Sequence, residues 1–159
     1  MALPSSGTLS MSQVNTELGR SATAPISLGE AAVRTLAGVP GGPISFVNLR
    51  GKSNIPGLSV SAVNVTANDA GFGSTGPVGP TGTPNTTPSG GVGPYTYSWA
   101  RISGSTVPGA SSLTAQNPTW SAGSVNFTQT AIWRVTVTDS LGATAMAEIS
   151  VTLTWIDLS

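Results

Sequence analysis

Few side chains in this 159-residue sequence are equipped for chemistry. It has neither His nor Cys, which rules out histidine-based triads, thiol nucleophiles, imidazole or thiolate metal sites, and disulfides. A general acid/base pair would have to come from Glu17, Glu30, Asp69, Asp139, Glu148 and Asp157. Asp139 opens a turn that closes on Gly142, Glu17 and Glu30 lie in helical patterns, and Glu148 falls on the polar face of a strand. These placements point away from catalysis and away from any cofactor or side-chain metal site; loop carbonyls are the one route left to calcium. Gly51-Lys-Ser53 has the ending of a phosphate loop. The position that should carry that loop's first Gly is Phe46, and no long helix follows. The aromatics Tyr95, Trp120 and Trp155 are candidates for stacking on a sugar, with core or intersubunit packing as the alternative.

Composition narrows the classes further. Charged residues make up 8% of the chain, about a third of the roughly 25% usual in soluble domains. Net charge is zero and there is no Lys/Arg run, so nucleic acid is not an expected partner. No apolar run approaches the ~18 residues a membrane span requires, so no insertion is expected. The first residues lack the basic start and apolar core of a signal peptide, and folding in a cytoplasm is expected.

The elements that must position these residues fall into two halves. In residues 1–53, Leu9-Ser-Met11, Ile26-Ser-Leu28 and Ile44-Ser-Phe46 each place Ser between apolar residues, ahead of a short helical pattern and a Gly. Ser10 with Gln13 and Ser27 with Glu30 fit the capping box, in which each side chain satisfies a free backbone N–H. Helices are predicted over 11–18 and 28–37, stopped by Gly19 and Gly38, with a third, barely one turn long, before Gly51. Such helices are too short to stand alone in water. Either they pack on each other as a small cap, or they become ordered against a partner. In the second case the docking residues are Leu9, Met11, Val14, Leu18, Ile26, Leu28, Val33, Leu36, Ile44 and Phe46.

Residues 54–57 read as a linker, and 58–159 as strands. Alternation over Leu58–Thr66 slips phase between Ala62 and Val63, predicting a bulge or a crossing between sheets. Residues 67–94 show hardly any apolar period; within them, 73–84 carries Gly at every third place and reads as an extended loop rather than a triple helix. Tyr95, Tyr97 and Trp99 share a strand face. An edge pair is expected at 117–120 and 125–127. Trp133-Arg-Val-Thr-Val137 and Ala145–Trp155 alternate around Asp139-Ser-Leu-Gly142, which predicts a closing hairpin. Val60, Trp99, Phe127, Trp133, Val135, Val137, Ile149, Val151 and Leu153 form the expected core of a two-sheet sandwich.

Two stretches carry resemblances. Gly93-Pro-Tyr-Thr-Tyr-Ser-Trp99, followed by Trp133-x-Val-x-Val-x-Asp139, resembles the immunoglobulin-like PKD domain, with Trp133 where that family has Tyr. The resemblance covers roughly 57–155 and implies a mainly β fold: an immunoglobulin-like antiparallel β-sandwich beside a small N-terminal helical and loop docking region. Ile26-Ser-Leu…Ala-Val-Arg-Thr-Leu-Ala-Gly38…Ile-Ser…Gly-Lys-Ser53, with Gly7 to Gly19 before it, resembles a segment of tailed-bacteriophage tail and fibre-associated proteins. It implies a virion component assembled in the host bacterial cytoplasm, docking on the tail, tail tip or collar. Its partners would be other virion proteins and further copies of itself, as a trimer or ring, with a host surface glycan as an additional partner. A carbohydrate-binding adhesin and a capsid decoration protein are the alternatives.

Overall fold

In the computed structural model, which describes residues 2–159, the chain divides into two compact units, residues 1–56 and 57–159. The first holds three short helices: α1 (Met11–Glu17), α2 (Ala31–Ala37) and α3 (Phe46–Leu49). Ser10 caps α1 as its sequence predicts. Its Oγ accepts the Gln13 N–H at 3.3 Å, and Gln13 Oε1 accepts the Ser10 N–H at 2.8 Å. The second start differs from expectation. Helix α2 begins three residues later than the Ser-Leu pattern suggests, with Glu30 as its N-cap and no side-chain cap bond. Only half of the predicted box forms: the Glu30 carboxylate accepts the Ser27 N–H at 2.9 Å, but the Glu30 N–H donates to the Ser27 backbone carbonyl at 3.2 Å and not to its hydroxyl, while the other carboxylate oxygen pairs with Arg20 at 2.6 Å. Asn48 plays the reach-back role for α3, accepting the Ser45 N–H. Gly19, Gly38 and Gly51, one after each helix, all take positive φ of about 70°, which lets the chain turn away where an L side chain would be strained.

The second unit is a β-sandwich, mainly antiparallel. Strands are β1 (Ser59–Ser61), β2 (Val65–Gly71), β3 (Gly76–Val78), β4 (Thr87–Ser89), β5 (Thr96–Gly104), β6 (Gly109–Ala110), β7 (Trp120–Val125), β8 (Thr128–Thr138) and β9 (Thr144–Asp157). One sheet runs β2-β9-β8-β5; β3-β7-β6 and the pair β1-β4 supply the rest. The antiparallel trio β5, β8 and β9, with a buried Trp on β5, is the immunoglobulin-like arrangement. Strand β2 joins β9 in parallel. The phase slip at Ala62/Val63 is the crossing between sheets: β1 pairs with β4, and β2 pairs with β9.

The closing hairpin has the predicted alternation. Ala131, Trp133, Val135 and Val137 on β8 are buried, as are Ile149, Val151 and Leu153 on β9. On the outer face Arg134 pairs with Glu148 at 2.6 Å, and Thr130 bonds Thr152 hydroxyl to hydroxyl. Asp139 N–H returns to Ala143 O and Gly142 N–H to Asp139 O, with Gly142 at φ +84°, a three-residue hairpin turn.

Three expectations need correction. Phe127 is not core: it is 71% exposed with φ +56°, because β7 runs unbroken from Trp120 to Val125 and residues 126–127 only connect it to β8 in the other sheet. The expected edge pair at 117–127 is accordingly this single strand. Residues 67–94 also hold more structure than their composition suggests. They include most of β2, plus β3 and β4, and bury Val78, Thr81 and Thr86.

Candidate functional site

Every acidic side chain has a local structural partner. In the helical unit Glu17 accepts Ser53 Oγ–H at 3.0 Å and the Asn54 N–H at 2.7 Å, closing the end of the unit onto α1. Glu30 is held below the usual carboxylate range by its hydrogen bond from Arg20 and by the Ser27 N–H. In the sandwich, burial pushes the Asp139 carboxyl up, but N–H groups of Val92, Ala143 and Leu141, with Gly142 beside them, more than offset this and hold it low. Asp157 is lowered by the N–H and hydroxyl of Ser159 and by the Gly73 N–H. Glu148 is on Arg134, and Asp69 Oδ2 accepts the Gly79 N–H at 2.6 Å. Among the described residues no group of three or more His, Cys, Asp or Glu could hold a metal.

The ten docking candidates all gather in one cluster, and it is the helical unit's own core. Leu9, Val14, Val33 and Leu36 are buried there with Leu3, Ala37 and Leu49; Met11, Leu18, Ile26, Leu28, Ile44 and Phe46 pack around them. Val14 and Val33 have no exposed surface. Of the two alternatives the sequence leaves open, these faces pack on one another within the unit as a small cap. The polar chemistry of the segment is likewise internal. The Arg34 guanidinium donates to the carbonyls of Gly29, Val39 and Gly42, fastening the chain after α2. The unit leaves open a mostly apolar groove of about 260 Å³ between its first residues and α1, lined by Leu3, Pro4, Ser12, Gln13 and Thr16, and a second of about 450 Å³ beside α2, lined by Ala31, Arg34, Thr35, Gly38 and Pro40.

The aromatic candidates separate. Trp120 has no exposed surface and sits between Trp99 (5.3 Å between rings, edge-on) and Trp133 (5.7 Å, tilted). It is core, not a sugar platform: an indole closed in by two others can stack on nothing from outside. Tyr95 is half-buried and donates its hydroxyl to Gly90 O at 2.7 Å. Where the PKD pattern has Tyr, Trp133 makes no corner hydrogen bond; its Nε1, like that of Trp120, is buried without an acceptor.

Trp155 borders an open slot of about 420 Å³ lined by Asp69, Ala70, Pro77, Gly79 and Trp155. Its Nε1 donates to Gly73 O at 2.8 Å. A Cβ at Gly71 or Gly76 would overlap the indole, so both positions must be Gly for the ring to lie where it does. In the sequence Asp69 is one of six scattered carboxylates. Its place opposite Trp155 follows from the parallel register of β2 on β9, which no local pattern announces.

Neither a protein-family model nor a curated protein matches this sequence. Among solved structures, the chain is similar to a nucleoside hydrolase-related hypothetical protein from Saccharophagus degradans that is associated with carbohydrate metabolism. Identity is 12% over 69% of this chain and 28% of that one, with a TM-score of 0.42. The chain thus spans little more than a quarter of that protein's length, and so distant a likeness carries no argument about activity.

Proposed function

We propose that this protein is a structural component of a tailed-phage virion, docking through the helical unit on the tail, tail tip or collar and displaying the immunoglobulin-like sandwich. The observation that carries the reading is how the phage-like segment is used. Its distinctive residues, Arg34, Gly38, the Ser45/Asn48 pair and the Ser53 tie to Glu17, close a separate folded unit around one apolar core. A segment spent on folding itself is a portable module, suited to being attached to different neighbours. In this reading docking uses the outer surface of the closed unit, foremost the groove by Leu3, Pro4 and Thr16, and not the faces of opened helices.

Removal of residues 1–56 tests it. Particles assembled with the truncated chain should lack the protein, whereas Ser12→Arg and Thr16→Arg, both at exposed positions of the groove, should weaken incorporation of the intact chain. Normal incorporation of the truncated chain would move the attachment to the sandwich and refute the reading. The adhesin alternative is favoured by one observation, the Trp155 slot.

A further inference from the structure

We propose that the slot between β2 and β3 binds a single pyranose ring of a polysaccharide, stacked on Trp155 and hydrogen-bonded to Asp69. This concerns the sandwich alone and does not depend on where the helical unit docks. Asp69 and Trp155 are register partners on adjacent parallel strands, so their side chains stand side by side on one face. The indole spends its only donor on Gly73 O, so the aromatic wall of the slot has no unsatisfied polar atom of its own. The ring is fixed before any ligand arrives, by the Gly73 bond and by the Gly71 and Gly76 backbones packed against it. Such preorganisation lowers the entropy lost on binding.

The Asp69 carboxylate is oriented in the same way. Oδ2 is held by the Gly79 N–H, and Oδ1 makes no hydrogen bond among the described residues. Neither Lys nor Arg lines the slot, so an anion would meet an unbalanced negative charge. An apolar ligand would strip water from the carboxylate without replacing it. A pyranose suits both walls: its C–H face covers the indole, and a ring hydroxyl donates to Asp69 Oδ1 in a charge-assisted bond. An ammonium group would satisfy Asp69 too, but tight cation recognition uses an aromatic cage, and here there is one aromatic wall in an open slot.

A single ring held this way should bind with a Kd on the order of 1 mM, made useful by many copies on one particle. The test is nuclear magnetic resonance titration of the full chain with neutral and amino-sugar oligosaccharides, at low and high salt. The expected result is saturable shifts at Asp69, Ala70, Gly79 and the Trp155 indole N–H, insensitive to salt. Asp69→Asn should weaken binding about tenfold, the loss of one charge-assisted bond, with an unchanged melting temperature, because the Asn carbonyl can still accept from Gly79. Three results would overturn the proposal: shifts confined to other residues, no shifts with any sugar in the panel, or binding of choline or lysine, abolished by salt, in place of sugar.

Discussion

At the scale of single residues the clearest energetic statement concerns Trp120. It is the largest fully buried side chain, and its indole N–H lacks an acceptor. Trp120→Ala should destabilise the sandwich by about 3–5 kcal/mol through the cavity it leaves. Trp120→Phe should lose much less, because removing a buried unpaired N–H returns part of the ~1–3 kcal/mol that burial of such a group costs. Urea unfolding of the two variants measures the difference; a loss for Trp120→Phe as large as that for Trp120→Ala would contradict this.

Titration belongs to this scale as well. Glu30, Asp139 and Asp157 all have folded values below their ordinary ones. Their contribution to stability is therefore complete above the unfolded carboxylate range, about 3.9 for Asp and 4.3 for Glu, and is lost as pH falls through the lower folded values. With no His or Cys to titrate, the melting temperature should be flat from about pH 8 to pH 5 and fall below about pH 4. Asp139→Asn should flatten the acid limb for the sandwich, because its turn would no longer have a charge to lose.

At the scale of elements, Arg34 and Gly76 make opposite kinds of prediction. Arg34→Ala frees the carbonyls of Gly29, Val39 and Gly42. Hydrogen exchange over residues 38–44 should speed up while the amides within α1 stay protected. Gly76→Ala places a methyl group on the Trp155 indole. It should displace the ring and close or reshape the slot, which loss of the Trp155 indole resonance position would report.

Elements differ in how openly the sequence declares them. The β8–β9 hairpin was legible because its apolar residues keep a strict period of two and its turn uses Asp and Gly at the expected places. Strands β3 and β4 were not legible. Apart from Val78 they contain only Gly, Pro, Thr and Ser, and they are held by backbone pairing and by buried hydroxyls nearby such as Thr81, which accepts the Trp120 backbone N–H. No hydrophobic period exists there to be read. Phe127 misled for the converse reason: its residue type says core, while the two-residue link between sheets turns it outward in a left-handed backbone conformation. In the slot, Trp155 was visible as an aromatic on a strand, but its neighbour Asp69 comes from 86 positions earlier through a parallel pairing, and pairing register is a tertiary property.

At the scale of the whole molecule there are two units, each with its own core. The sequence placed the right apolar residues together in the helical unit and left open whether they faced each other or a partner. Summed burial answers that, since short helices that are unstable singly become a unit when three share Val14, Val33 and Leu49. The proposal that follows is docking by a closed module. Electron cryo-microscopy of intact particles tests it most directly. The expected density has residues 2–56 ordered against a tail, tip or collar protein, with the partner seated at the Leu3–Thr16 groove and Val14 and Val33 still covered by their own unit. Density in which the sandwich makes the particle contact, or in which the helices have separated to insert Val14 and Val33 into a neighbour, would contradict it.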